Sequence, residues 1–353
     1  MKALILSGGM GTRLRPFTYS MPKQLVPVAN KPILVHCLEN VREIGVEDVA
    51  VVVGDRGEEI RAVVGDGSAY GLNVTYLQQE APLGLAHAVS IAEEFLGDDD
   101  FVMYLGDNIL AEGIAESARA FRAARPAAQL LLTKVADPRA YGVAEVDAEG
   151  RVLALVEKPQ QPRSDLAVIG VYFFTAAVHD AVRAIEPSAR GELEITDAVQ
   201  FLVERGDRVV ADAYAGYWKD TGSPDDLLDC NRLLLGRLDH GVHGEVDAAS
   251  TVEGPVLVEA GAVVERSRLV GPLVVGAGSI VRDSELGPYT ALGRDCVLDG
   301  AGIGDSIVLD GVSIQSVRGL SGSIIGRSAA VRGGEAAGRR LIIGDHTQAE
   351  VAA

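Results

Sequence analysis

The chain is predicted to be an α/β protein in two parts, a mostly parallel sheet covered by helices over 1–238 and a parallel β-helix over 239–353. Three observations predict this. Through the first hundred residues, short apolar runs alternate with helix-period segments, and the runs end at glycine or aspartate. Strands that are apolar on both faces and separated by helices belong to parallel sheets buried on both sides. Past His240 the texture changes, and aliphatic residues recur at every sixth position.

Each element follows from its own pattern. Residues 3–7 are apolar and meet glycine at once, as a central strand does. Over 33–44, Ile33, Leu34, Cys37, Leu38, Val41 and Ile44 form one helical stripe. A valine run at 49–53, a helix at 58–64, a strand at 74–77, a helix at 85–95 and a strand at 101–105 continue the alternation. Ligands of such sheets bind beyond the C-terminal strand ends, where segments 8–15 and 106–108 fall. Further strands are expected at 142–146, 152–156 and 168–174, a helix at 198–204 behind Thr196, and a closing helix at 225–238. Cys37 lies on an apolar helix face and reads as core. His36 and His87, inside helical stretches, read as packing or surface residues.

In the C-terminal part, Val246, Val252, Val258, Val264 and Val270 are followed by Val275 and Val281. After one-residue slips come Leu286, Leu292 and Leu298, then Ile303 and Leu309. A six-residue aliphatic period marks short flat strands stacked into a prism. Beyond about Val317 the period weakens.

Composition narrows the function. With 48% hydrophobic and 23% charged residues the chain can bury a substantial core. Cys37, Cys230 and Cys296 form no CxxC pair, so neither a disulfide framework nor a zinc site is indicated, and a reducing cytoplasm is expected. Residues 1–6 are apolar but stop at Gly8 and Gly9, too short for a signal peptide or a membrane span. The net charge of −18 argues against nucleic-acid and anionic-membrane partners. Yet residues 1–38 contain no Asp or Glu while carrying Arg13, Arg15, Lys23 and Lys31. That stretch is suited to anions in an otherwise acidic protein.

The glycines at 8, 9 and 11 differ from the two common nucleotide loops. A dinucleotide fingerprint needs GxGxxG, but Gly11 is followed by Thr12, Arg13 and Leu14. No Gly-Lys-Ser/Thr of a P-loop occurs, and Pro16, Pro22, Pro27 and Pro32 forbid a helix directly afterwards. Segment 8–32 is therefore expected to be a long extended loop. Its glycines let backbone N–H groups approach phosphate oxygens, and Arg13 and Lys23 add charge. Asp107 ends an apolar run at the ligand edge, and the segment of Asp220 is expected to return there. Taken alone, a strand-end aspartate is usually a helix cap or turn former.

Gly8-Gly-Met-Gly-Thr-Arg-Leu-Arg-Pro16, with Pro22-Lys-Gln-Leu-Val-Pro27 and Lys31-Pro32, is similar to the signature of sugar-1-phosphate nucleotidylyltransferases. Gln24-Leu25 after Pro22-Lys23 looks most like the thymidylyl-transferring members. Gln79 with Pro82-Leu-Gly-Leu-Ala86, Leu105-Gly-Asp-Asn108, Tyr141-Gly142, Glu157-Lys-Pro159, Ala167-Val168 with Gly170, Arg190 to Asp197, and Trp218-Lys-Asp-Thr-Gly222 fit the same family in order. The resemblance covers residues 1 to about 235. Its sheet is expected to be Rossmann-like, and the repeats resemble the left-handed hexapeptide kind. Together they look like the long form found in streptomycin-type deoxysugar pathways of actinomycetes.

The resemblance implies transfer of a nucleotidyl group from dTTP, with UTP as a second candidate, to glucose 1-phosphate. Arg13, Lys23, Asp107 and Asp220 are then the catalytic set, with Mg²⁺ on Asp107 and Asp220. Leu6, Gly8, Gly9, Gly11, Thr12, Gln24, Gln79, Pro82 and Gly84 join Arg13 and Asp107 around the nucleotide. Gln79 would meet the base edge with its amide as both donor and acceptor. Tyr141, Gly142, Glu157, Lys158, Val168 and Trp218 fall to the sugar phosphate. Segment 190–197 is expected mostly to hold the sheet and cap the helix after Thr196. A homo-oligomer is expected, either trimer or tetramer. Two departures, Ile169 where related short forms often carry Thr and Asp165-Leu166 before Ala167-Val168, leave a cyclitol or amino-sugar phosphate open.

Two rival functions have sequence tests. Hexapeptide helices often carry acyltransferase sites, but the repeats offer only His346, with His240 and His243 at their threshold. A non-catalytic nucleotide-sugar-binding subunit should have lost the basic loop residues or metal carboxylates. This chain keeps Arg13, Lys23, Asp107, Lys158 and Asp220.

Overall fold

The computed structural model describes residues 1–9, 11–333 and 335–351. Strand β1 (Lys2–Ser7) leads into the glycine loop. The described residues of the loop form no α-helix, as its prolines require, but three single 3₁₀ turns break the extended path expected, at Thr12–Leu14, Phe17–Tyr19 and Lys23–Leu25. It closes with a hairpin of β2 (Pro27–Val28) and β3 (Lys31–Pro32). Then follow α1 (Ile33–Glu43), β4 (Asp48–Val53), α2 (Gly57–Val64) and β5 (Asn73–Gln78). The helix expected at 85–95 is two, α3 (Leu85–Ile91) and α4 (Glu93–Leu96), before β6 (Phe101–Leu105) and β7 (Asn108–Leu110). Next come α5 (Ala115–Ala124), β8 (Ala128–Lys134), β9 (Gly142–Val146), β10 (Val152–Glu157) and β11 (Leu166–Phe174). The rest are α6 (Ala177–Ala184), α7 (Ile195–Arg205), β12 (Val209–Ala213), β13 (Trp218–Asp220) and α8 (Pro224–Leu235).

By contacts the chain groups into two compact units, Met1–Gly9 with Leu34–Asp220, and Met10–Ile33 with Thr221–Ala353. This grouping cuts across the division expected at 238/239. The first unit holds a nine-stranded sheet in the order β10-β9-β11-β6-β1-β4-β5, with β8 pairing β11 and β12. β6, β1, β4 and β5 are parallel, while β11 runs antiparallel to β6 and turns the sheet into its second half. The central parallel strands β1, β4 and β6 are mostly aliphatic or aromatic on both faces, and Leu4, Ile5, Val51, Val102 and Met103 are fully buried. Each such side chain contributes roughly 1.5–3 kcal/mol. Helix α7 starts at Ile195, three residues earlier than expected, and Glu194 takes the cap position assigned to Thr196. Thr196 is inside the first turn, and its hydroxyl turns instead to Glu157 (3.4 Å).

The second unit is built on a parallel β-helix of three stacked sheets. Val256, Leu273 and Thr290 pair in succession at 17-residue intervals, three hexads less one residue per coil, which accounts for the slips in the period. Inside run Val258, Val275, Leu292, Val308, Ile325 and Ile343. The coils continue past Val317, through Ile324–Ile325 and Ile342–Ile343 to Gln348–Val351. On one face the outward column is Glu265, Arg282, Asp299, Gln315, Arg332 and Glu350. On another it is Leu257, Val274, Ala291, Ile307 and Ile324, entirely apolar. Helix α8 packs there through Leu235, and Arg232 holds Asp305 with two hydrogen bonds of 2.6 and 2.7 Å. An apolar outer face needs a cover, which is why α8 groups with the β-helix rather than with the sheet.

Candidate active site

In the first unit the ligand edge is formed by the ends of β1, β4 and β6. Gly106 N donates to Leu6 O (2.9 Å) and Gln79 N to Val53 O (2.9 Å), so Gly8, Gln79 and Asp107 emerge from neighbouring strands. Asn108 is the hub of this edge. It is buried, its Nδ2 donates to Asp107 Oδ1 (3.1 Å), and its Oδ1 accepts from Trp218 Nε1 (2.7 Å). β13 pairs antiparallel with β7, placing Asp220 opposite Asn108. Two carboxylates separated by more than a hundred residues thus flank one asparagine. Beneath them Cys37 is core, as expected, and its Sγ donates to Asn108 O (3.4 Å). Burial, followed by the charge of Asp107, pushes its thiol far up.

The residues assigned to the sugar phosphate gather beside this hub. The Tyr141 ring meets Trp218 edge-on at 5.5 Å, and Tyr141 O accepts from Lys158 N (2.9 Å). Gly142 lies against Glu157, since a Cβ there would stand 3.4 Å from Glu157 Oε2. Lys158 Nζ is 3.3 Å from Glu157 Oε1, and Lys158 has a φ of 42°, a conformation few non-glycine residues adopt. Such strain concentrates at functional sites. The Val168 side chain packs in the hydrophobic core and stands 3.7 Å from where a Cβ on Gly142 would be. Arg190, expected to be structural, reaches Glu157 (3.6 Å), Glu192 (2.6 Å) and Glu194 (3.5 Å). Burial and, secondarily, the Glu157 carboxylate push the Tyr172 phenol up.

Gln79 is more committed than expected. Its Nε2 donates to Gly84 O (3.1 Å) and stands 3.1 Å from His87 Nδ1, so the donor half of the expected base contact is engaged within the protein. Its Oε1 faces Gly8. His87 is therefore neither packing nor plain surface, and nothing local in the sequence marks the pairing. Gly84 has a φ of 101°, and a Cβ there would collide with the Leu193 carbonyl. Leu193 also ties down the Pro82–Gly84 stretch by donating to Leu83 O (2.8 Å) and accepting from Ala86 N (3.0 Å).

In the second unit, Gly11 (φ 60°) precedes the turn that carries Thr12 and Arg13, and Thr18 Oγ1 donates to Gly11 O (2.8 Å). A Cβ on Gly11 would come within 2.9 Å of both Lys23 Cβ and Thr18 Cγ2. Lys23 and Gln24 are buried, and the guanidinium of Arg13 lies against Gly222, 3.3 Å from where a Cβ would be. Among the described residues, four buried side-chain polar atoms have no partner, and two of them are Gln24 Oε1 and Ser7 Oγ. An unmet buried acceptor costs about 1–3 kcal/mol, which a ligand donor would recover. Ser7, at the end of β1, was not singled out in the sequence because a strand-end serine carries no distinctive pattern.

No group of three or more metal-ligating His, Cys, Asp or Glu occurs among the described residues. Mg²⁺ needs only one or two carboxylates besides phosphate and water oxygens, so Asp107 and Asp220 suit it by donor type.

In the first unit a strand-edge carboxylate pair stands beside a Glu-Lys pair, and in the second a glycine loop carries buried Lys23 and exposed Arg13. The chain belongs to the Nucleotidyl transferase family, which matches residues 2–236. It is 53% identical to a glucose-1-phosphate thymidylyltransferase of Streptomyces griseus and 51% to one of Streptomyces antibioticus, each over 99% of both chains. A solved Bacillus anthracis protein assigned as a glucose-1-phosphate thymidylyltransferase, in complex with sucrose, superposes with a TM-score of 0.62 at 34% identity. That likeness covers 66% of this chain and 94% of the other.

Proposed function

We propose that the protein transfers a thymidylyl group from dTTP to α-D-glucose 1-phosphate, giving dTDP-glucose and pyrophosphate. The observation that carries the reaction class is Asp220 opposite Asn108, beside Asp107, joined through Trp218 to Tyr141 and the Glu157–Lys158 pair. The full-length likeness to two thymidylyltransferases favours the base and the sugar.

A sugar-1-phosphate oxygen attacks the α-phosphorus in line, and pyrophosphate leaves. The nucleophile is already anionic at neutral pH, so no general base is needed. The work is positioning and charge stabilisation. Arg13 and Lys23 steady the α-phosphate and the leaving pyrophosphate. Lys158 holds the sugar phosphate as a point charge, and Glu157, oriented by Arg190, accepts sugar hydroxyl hydrogen bonds. Asp107 and Asp220 would hold Mg²⁺, which when bound neutralises charge on the phosphate oxygens. Gln24 and Gln79 face the nucleoside.

A homo-oligomer and a cytoplasmic location complete the reading. Three buried cysteines outside any disulfide suit a reducing compartment, and no helix among the described residues is long and apolar enough to cross a membrane. The decisive experiment is a panel of nucleoside triphosphates against several sugar 1-phosphates, read by pyrophosphate release. Fastest release with dTTP and glucose 1-phosphate is expected. A clear preference for UTP, or for a cyclitol or amino-sugar phosphate, would overturn the specificity while leaving the reaction class.

A further inference from the structure

The basic loop is fastened to the β-helix at its hairpin. Ala29 and Asn30 form the two-residue turn between β2 and β3, with φ of 50° and 63°. Positive φ at both central positions is the geometry of a tight type I′ hairpin. Ala29 N donates to Asn231 Oδ1 (3.0 Å), and Asn30 Nδ2 donates to Leu292 O (2.6 Å). Asn231, on α8, completes the clip by donating from Nδ2 to Tyr289 O (2.9 Å). Asn231 is only 1% exposed, so both ends of its amide are spent in a buried place. There each lost bond leaves an unsatisfied partner.

The apolar bed under the clip belongs to the same arrangement. Ala29 packs with Leu235 on Val274 and Ala291, the outward column that a free-standing coil would make polar. A second contact lies farther along the β-helix, where Gly344 lies against Pro16, 3.1 Å from its would-be Cβ to Pro16 Cβ. Lys23 lies on the loop between these two anchors, and Arg13 stands three residues before the Pro16 anchor.

We infer that Asn231 is a positioning residue, which with Asn30 clips the catalytic loop to the β-helix coil at 289–292 and so sets the placement of Lys23 and Arg13. The β-helix then has a part in the reaction without holding a site of its own. This rests on the reading of Lys23 and Arg13 as phosphate-binding residues. Misplacing such groups by an ångström lowers the rate far more than it lowers substrate binding.

The test uses the full-length protein with Asn231→Ala and Asn30→Gly. The second keeps the left-handed turn and removes only the side chain bonded to Leu292, so it folds even if the buried substitution does not. Hydrogen–deuterium exchange without substrates and steady-state kinetics with dTTP and glucose 1-phosphate are measured on both. Expected are faster exchange in peptides covering 11–33, unchanged protection in 256–331, and a kcat lower by about tenfold or more with KM values nearly unchanged. Unchanged loop exchange overturns the inference. So does faster exchange with wild-type kcat, or a rise in KM alone, and neither result touches the assigned reaction. A wild-type protein that releases no pyrophosphate overturns the reaction instead, and the exchange measurements then decide the clip by themselves.

Discussion

Asp220 pairs with Asn108 across β13 and β7, and Asn108 in turn holds the carboxylate of Asp107. The two aspartates are thereby coupled through one side chain and one strand register. Asp107→Asn and Asp220→Asn should each lower kcat on the order of 10²–10³-fold while thermal unfolding stays near wild type. A near-normal Mg²⁺-dependent rate in either variant would remove that residue from the metal role.

Arg190 bridges Glu157 to Glu192 and Glu194. In Arg190→Gln the three carboxylates lose their common cation, and Glu157 is free to take Lys158 entirely. KM for glucose 1-phosphate should rise by about tenfold, with KM for dTTP hardly changed. Equal rises for both substrates would mean that Arg190 serves the fold alone.

The Gly11 position leaves no room for a methyl group beside Lys23 and Thr18, and its φ of 60° disfavours any side chain. Gly11→Ala should cost about 1–3 kcal/mol locally and displace Lys23. The predicted signature is a large loss of kcat with little change in the unfolding of the β-helix, followed by hydrogen exchange.

How much of this could be read beforehand depended on whether the signal was local. The ends of β1 and β6, the lack of an α-helix directly after Gly11 and the hexad period each rest on a few adjacent residues, and each is found among the described residues. The couplings did not announce themselves. Arg190 and Glu157 are far apart in sequence, Gln79 and His87 stand eight residues apart across a loop, and no spacing rule joins either pair. Val274 and Val275 look alike in a sequence, yet one faces the coil interior and the other the bed of the loop. After Val317 glycine and arginine enter the strands themselves, as at Arg318, Gly319, Arg332 and Gly333, while the inward positions Leu320, Ile325 and Val331 stay aliphatic.

The Cys296 thiol is buried and donates to Leu309 O (3.1 Å). Burial pushes it up from 9.0 to about 12. Below pH 9 both folded and unfolded thiols are protonated, and its contribution to stability is intact. Between 9 and 12 only the unfolded chain ionises there, so stability falls as pH rises, by up to about 1.4 kcal/mol per pH unit for one thiol. Cys37 acts in the same direction. Thermal unfolding between pH 8 and 11 should show the decline, and Cys296→Ala should flatten it. An equal slope in the variant would assign the effect elsewhere.

The loop's two anchor points, Leu292 and Gly344, lie on different coils of the β-helix. Repeat proteins commonly gain or lose whole units, because a duplicated coil pairs as well as the original. Here that freedom is curtailed. One coil more between the anchors would move them apart by about 4.8 Å, the spacing of paired strands, while the peptide between Pro16 and Ala29 keeps its length. The number of coils in that interval is therefore a measured length, counted against the loop, whereas coils beyond the last anchor can be added without consequence for it.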